Sequence, residues 1–344
     1  MFVRLVVAAW LLLCALPLPA AAQALTGAGS TFAQPVIARW GQLFATLQGD
    51  GGASVSADAN LDYEPVGSTG GMMRVLQRAV DFGVTDVPMT PEELARHELA
   101  QFPVVSSGVA VVTNLPGVPS GALRLSGQVL ADIYLGKVAR WNDAAIVALN
   151  GGLALPDAPI AVLRRADGSG TTYHFAAYLA GASAEWRDRV GVDTLLNWPV
   201  GTGARGNREL AEAVRATRHA IGYVEASLAA RLDIPVALIG NRAGAFVAPS
   251  LQALQAGLAG AQWEAARHFH QAVAAPEGPE AYPIVATAFA LVPRRPGRGQ
   301  RLSIEFFRFA LAERSGDAMM LGYVPLPEPV VRDVIAYWRA TLRR

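Results

Sequence analysis

Three times this 344-residue chain runs a loop of Gly, Ser and Thr straight into a stretch with helical apolar spacing, and no other feature limits its fold as much. Gly27-Ala28-Gly29-Ser30-Thr31-Phe32 leads into residues 35–47, where Val36, Ile37, Trp40, Leu43, Phe44 and Leu47 share one helical face and Pro35 suits a first turn. Gly67-Ser68-Thr69-Gly70-Gly71 leads into a stripe of Met72, Met73, Val75, Leu76 and Val80. Asp167-Gly168-Ser169-Gly170-Thr171 leads into Phe175, Ala176, Tyr178 and Leu179, and follows residues 160–163, which read as a buried strand. Further strands are expected over 108–113, 236–239 and 284–291, and further helices over 91–100, 208–217 and 303–312. Strands alternating with helices in this way predict an α/β architecture with parallel sheets.

Composition narrows the chemistry. Lys and Arg number 29 against 28 Asp and Glu, so the chain has no global field to draw in nucleic acid or an anionic membrane. The only lysine, Lys137, precedes Val138, and a phosphate-cradling P-loop needs Ser or Thr there. The only cysteine, Cys14, lies in the first apolar stretch, so neither a disulfide framework nor a cysteine zinc site can form. That stretch itself reads as an address. Arg4 precedes an apolar run from Leu5 to Leu13, and Ala22-Gln23-Ala24 offers small residues for cleavage, the order of a secretory signal peptide over residues 1–24. Cleavage near Ala24 and a periplasmic mature protein are expected. The mature chain would then carry 28 basic and 28 acidic residues, since only Arg4 is lost.

A helix N-terminus presents unpaired backbone N–H groups and the positive end of the helix dipole, so it holds an anion without any lysine. Hydroxyls of Ser and Thr add donors, and Gly lets the backbone approach a small tetrahedral oxyanion closely. The same residues also cap helices that bind nothing, so one such loop carries little weight. Arg164-Arg165-Ala166-Asp167 just before the third loop adds a guanidinium that can fork onto an oxyanion, with a carboxylate to hold it.

These loops, together with Val80-Asp81-Phe82-Gly83-Val84-Thr85-Asp86, Asp132-Ile133-Tyr134-Leu135-Gly136-Lys137 and Ala220-Ile221-Gly222-Tyr223-Val224-Glu225, resemble the periplasmic phosphate-binding proteins of Pst-type phosphate ABC importers. The resemblance runs from about Leu25 to Trp338. It implies a two-lobed periplasmic-binding-protein fold of type II, each lobe a mostly parallel sheet flanked by helices, with the ligand in the cleft between them. Lobe 1 would comprise 25–107 and 261–344, and lobe 2 would comprise 108–260. The resemblance further implies phosphate-binding roles for Thr31 and Phe32 in the first loop and Ser68 in the second. Arg165 would bind the anion, Asp167 would orient Arg165, and Ser169, Gly170 and Thr171 would cradle the ligand. Asp86 would accept a hydrogen bond from a protonated phosphate oxygen. A carboxylate repels any anion that brings no proton, so Asp86 would select against sulfate. Ser30 stands where the family often has alanine, and Ala33 where it often has proline.

The implied function is capture of inorganic phosphate by a monomer that delivers it to an ABC permease, without catalysis, cofactor or metal. Alternatives are a binding protein for another tetrahedral oxyanion such as sulfate or molybdate, a phosphate-binding adhesion or signalling paralogue, and a phosphatase on the same scaffold. Asp167, Ser169 and His174 have the residue types of a hydrolase triad, but Gly168-Ser169-Gly170 is not a nucleophile elbow. Gly27-Ala28-Gly29 lacks the third glycine of a dinucleotide fingerprint. Glu264 and His268, four apart, read as a solvated helix pair, and the scattered histidines predict no metal site.

Overall fold

The computed structural model describes residues 24–49, 60–270 and 276–342. The proposed leader, apart from Ala24, lies outside them. Eleven strands follow in chain order: β1 (Leu25–Gly29), β2 (Leu61–Glu64), β3 (Phe82–Thr85), β4 (Leu99–Thr113), β5 (Arg124–Leu125), β6 (Ala161–Arg165), β7 (Thr202–Ala204), β8 (Ala220–Glu225), β9 (Leu238–Gly240), β10 (Phe246–Val247) and β11 (Val285–Pro293). Eight of them form one curled sheet in the order β2-β1-β3-β11-β4-β8-β6-β7, and β10-β9-β5 form a small second sheet.

At each end of the large sheet three strands run parallel, β2-β1-β3 at one and β8-β6-β7 at the other. The centre is antiparallel, because β11 pairs antiparallel with both β3 and β4, and β4 with β8. Strand β4 ties the ends together. Its residues Leu99 to Gly108 pair with β11, whereas Val109 to Thr113 pair with β8. Every residue of β4 is buried, as a strand shared by two packed bodies must be. Two separate aromatic-rich cores confirm the two-lobed reading. One gathers Trp40, Phe82, Phe102, Phe307 and Trp338, and the other Trp141, Phe175, Trp186 and Tyr223.

The structure corrects several expected elements. The strand expected at 108–113 begins nine residues earlier, at Leu99, and the helix expected over 91–100 is Pro91–His97. Thr90 and Glu93 close a capping box at that helix's start, and Glu98 ends it in the left-handed conformation at φ 53°. The second glycine loop is itself helical, since the helix spans Gly67–Leu76. Its glycines permit a close approach: a Cβ on Gly71 would stand 2.4 Å from the Gly29 Cα and 2.7 Å from the Ala28 carbonyl oxygen. Glu264 and His268 do not pair on a helix. A short 3-10 turn, Ala265–Arg267, separates them, and His268 Nδ1 meets the Tyr337 hydroxyl at 2.7 Å.

Candidate functional site

The three loops follow β1, β2 and β6, and Asp86 follows β3, so the C-terminal ends of these strands bring the site together, as expected in open α/β sheets. Gly29 closes β1 at φ +141°, where a Cβ would lie 2.0 Å from the Val84 carbonyl oxygen. Any other residue there would push β1 off β3 and carry Ser30 away from Asp86.

Two serines commit their hydroxyl protons to the Asp86 carboxylate. Ser30 Oγ accepts from the backbone N–H of Phe32 at 3.1 Å and of Ala33 at 3.2 Å, and donates to Asp86 Oδ1 at 2.5 Å. Ser68 Oγ accepts from the N–H of Asp86 at 3.1 Å and of Gly170 at 3.2 Å, and donates to Asp86 Oδ2 at 3.2 Å. Each oxygen takes two N–H groups, so each hydroxyl has one proton and only the carboxylate to receive it. Asp86 is thereby held as an acceptor. Burial pushes its carboxyl up to about 6, while Ser30, Ser68 and Arg165 pull it down and Glu225 adds to the rise.

Arg165, only 1% exposed, supplies the positive charge. Its Nε donates to Asp167 Oδ1 at 2.7 Å and its Nη2 pairs with Asp167 Oδ2, which leaves Nη1 buried with no partner in the protein. A buried guanidinium nitrogen without a partner costs stability unless a ligand meets it. Asp167 also accepts from Gly206 N–H at 3.0 Å. Burial raises the Asp167 carboxyl, but the Arg165 bond and charge together with Gly206 outweigh it and hold the group below its usual range. Ser169 caps the Gly170–Ala182 helix by accepting from Thr172 N–H at 3.1 Å. Behind Arg165, the Tyr223 hydroxyl accepts from its backbone N–H at 3.2 Å and meets Thr172 Oγ1 at 2.7 Å.

Thr31 Oγ1 accepts from Asn207 N–H at 3.3 Å and from Asn207 Nδ2 at 3.1 Å, and Asn207 Nδ2 also donates to Thr171 Oγ1 at 3.2 Å. All nine residues expected at the site are therefore within one contiguous set of loops. The Phe32 and Gly170 N–H groups, expected to face a ligand, donate to Ser30 Oγ and Ser68 Oγ in this geometry.

Sequence reasoning missed Ser30, Asn207 and His174. Gly206-Asn207 opens the Gly206–Ala216 helix, a fourth glycine-and-polar helix start that could have been noticed. His174, considered for a triad, instead meets the Asp86 carbonyl oxygen through Nε2 at 2.8 Å, and burial lowers its ring to about 4, so it is neutral. A cavity of about 450 Å³ lies along the Gly170–Ala182 helix, lined there by His174, Ala177, Tyr178, Gly181 and Ala182. Ser126, His174, Asn241 and Arg242 line it beside Gly, Ala, Pro and aromatic residues, and none of the nine residues does. Among the described residues no group of three or more His, Cys, Asp or Glu could hold a metal.

Residues 17–314 match the PBP superfamily domain. The chain is 38% identical over 324 residues to the phosphate-binding protein PstS of Pasteurella multocida, covering 94% of this chain and 92% of that one. The chain belongs to the PstS family. It is 36% identical to PstS of Haemophilus influenzae over 327 residues, covering 94% of this chain and 95% of that one. In fold, this PstS-family chain matches a phosphate-binding protein from Stenotrophomonas maltophilia with a TM-score of 0.65 at 19% identity, over 91% of this chain and 93% of that one. An ABC-type phosphate transport receptor from Vibrio cholerae matches with a TM-score of 0.55 at 17% identity, over 88% and 100%. Among the described residues, no helix of the PstS-family chain is long and apolar enough to cross a membrane.

Proposed function

We propose that this chain captures inorganic phosphate between its lobes and hands it to an ABC permease. The observation that carries the reading is Asp86, a buried carboxylate held as an acceptor by two serines, beside Arg165 with a buried, unpartnered Nη1. A ligand for this pair must be an anion that also brings a proton. Phosphate does so and sulfate or molybdate does not, so the pair disfavours the other oxyanions.

In this reading Arg165, fixed by Asp167, binds a phosphate oxygen. Thr31, Ser169 and Thr171 supply hydroxyls, Phe32 and Gly170 give their N–H groups to Ser30 and Ser68, which align Asp86, and Asp86 accepts a hydrogen bond from the protonated phosphate oxygen. We take lobe 1 as 25–107 and 261–344 and lobe 2 as 108–260, a division supported by the change of partner along β4 one residue further on, between Gly108 and Val109. The mature protein works in the periplasm as a monomer, after removal of residues 1–24, and performs no catalysis. The relatives' name, phosphate-binding protein, supports a binding role.

Isothermal titration of the mature protein with phosphate and with sulfate tests this. Phosphate should bind at least a hundredfold more tightly; absent phosphate binding, or equal binding of both, refutes the assignment.

A further inference from the structure

We propose that Ser30 is a specificity-determining positioning residue: its hydroxyl, fixed by two backbone N–H groups, holds Asp86 as a hydrogen-bond acceptor and so enforces selection for a protonated oxyanion. The inference rests on the phosphate reading given above.

The geometry leaves Ser30 no alternative. Its Oγ is filled as an acceptor by Phe32 and Ala33 N–H, at 3.1 and 3.2 Å, so its proton must point at Asp86 Oδ1, 2.5 Å away. The backbone around it is fixed as well. Ser30 N–H donates to the Val84 carbonyl at 2.8 Å, and its own carbonyl accepts from the Tyr63 hydroxyl at 3.0 Å. Ser30 is fully buried. No water competes for a group so enclosed, and a hydroxyl that can only donate favours the ionised carboxylate over the acid.

The consequence is chemical. An ionised Asp86 accepts a hydrogen bond from a protonated ligand oxygen and turns away an anion that has no proton. A protonated Asp86 would itself donate, and a sulfate oxygen would then be a good partner. Selectivity therefore fails once Asp86 takes up a proton, and Ser30 sets how acidic the medium must be for that. The other charged and titratable groups around Asp86 stay in place when Ser30 is changed: Arg165 on β6 with its partner Asp167, Glu225 at the end of β8, Tyr63 on β2, and His174 on the Gly170–Ala182 helix. Ser68 continues to donate to Oδ2.

The test is the phosphate-to-sulfate affinity ratio of the wild type and of Ser30→Ala, measured by titration calorimetry at intervals from acidic to mildly alkaline pH. Phosphate's own ionisation affects both proteins alike, so the difference between the curves isolates the site. In S30A the loss of preference should move to higher pH by about one unit, the scale of one hydrogen bond to a charged group. At mildly alkaline pH the two proteins should discriminate alike. A uniform weakening of S30A at all pH values, with the ratio's pH profile unmoved, overturns the proposal and leaves Ser30 a packing residue. Ser30→Cys, a weaker donor of similar shape, should shift the profile in the same direction and serves if S30A does not fold. Carbon-13 titration of the Asp86 carboxyl without ligand separates the two readings. A wild type that binds no phosphate sinks the phosphate assignment and the selectivity role with it, whereas a carboxyl titration identical in wild type, S30A and S30C sinks the Ser30 inference alone.

Discussion

Asn207 Nδ2 stands 3.1 Å from Thr31 Oγ1 and 3.2 Å from Thr171 Oγ1, so one carboxamide bridges the first loop, after β1, and the start of the Gly170–Ala182 helix, after β6. Both threonine hydroxyls act as acceptors there. Their own protons are thus free to turn toward an anion, which is what a binding hydroxyl needs.

The first prediction follows from that bridge. Asn207→Ala removes two neutral hydrogen bonds, frees the Thr171 hydroxyl to rotate and leaves Thr31 only the backbone N–H of residue 207. Phosphate affinity should fall about tenfold, the scale of one to two such bonds. Calorimetric titration checks it, and an unchanged dissociation constant would show that the threonines are ordered without Asn207.

Asp86→Asn should abolish discrimination. A carboxamide places an N–H donor where a carboxylate oxygen stood, and sulfate can accept from it. The variant should bind phosphate and sulfate within about tenfold of each other, a loss of the order expected when a buried acceptor facing the ligand is removed. Competition titration reads the ratio; retention of the full preference would remove Asp86 from the discriminating role.

The same substitution should change stability with pH. The folded-state Asp86 titrates at about 6, because burial disfavours its charge, against an ordinary aspartate value near 3.9 in the unfolded chain. Between those values the unfolded chain has released its proton while the folded one keeps it, so this group destabilises the fold progressively as pH rises from about 4 to 6, and steadily above. In phosphate-free buffer near pH 7.5, Asp86→Asn should therefore be more stable by about 2 to 3 kcal/mol, with the difference vanishing toward pH 4. His174 works in the opposite sense over the same window. Its ring is lowered to about 4 by burial, so protons favour the unfolded chain as pH falls from 6.5. It is common to both proteins and cancels in their difference. Thermal melts of the two proteins at several pH values provide the comparison, and a variant less stable than wild type at pH 7.5 contradicts the account.

Tyr323 links the end of β8 to the first loop. Its hydroxyl lies 2.7 Å from the Phe32 carbonyl oxygen and 3.3 Å from Glu225 Oε2, while Glu225 also accepts from Ser107 Oγ on β4 at 2.7 Å. Tyr323→Phe leaves the buried Phe32 carbonyl without this donor and should cost about 1 to 3 kcal/mol. Chemical denaturation measures it. Phosphate affinity should weaken as well, because the loop that carries Thr31 and Phe32 loses an anchor; a stability loss with unchanged affinity would confine Tyr323 to the fold.

What the sequence made legible were the elements whose residues repeat with a period. Three helices arise at the three glycine loops, at Gln34 after the first, at Gly67 where the second begins and at Gly170 within the third, because apolar spacing and capping residues are local signals. The first half of β4 was illegible for the opposite reason. Buried on both faces, Leu99 to Gly108 shows no alternation, and it contains Pro103, which the sheet accommodates at a register shift opposite Ala288 and Phe289. The site divides in the same way. Asp86, Arg165 and Asp167 stand out by residue type and motif, but Ser30 meets Asp86 across 56 positions and Asn207 meets Thr31 across 176. A serine after a strand and an asparagine at a helix start read as caps until the fold brings them to their partners.

Gly170 offers the sharpest test that the two lobes must meet around the ligand. A Cβ at this position would lie 2.6 Å from Asp86 Oδ2, 2.5 Å from Asp86 Cβ and 2.6 Å from Ser68 Oγ. None of these groups is the free end of a long side chain, so Gly170→Ala can be accommodated only by drawing the Gly170–Ala182 helix back from β3. Within its own lobe the substitution is harmless, since alanine is the better helix former. The variant should melt at a temperature close to wild type without phosphate, because the lobes can part to relieve the clash, yet bind phosphate at least about a hundredfold more weakly, nearly 3 kcal/mol. Titration and melting of the same preparation supply both numbers. Wild-type affinity would mean that phosphate is held without this contact between helix and strand, whereas a large drop in melting temperature would place the contact in the ligand-free fold itself.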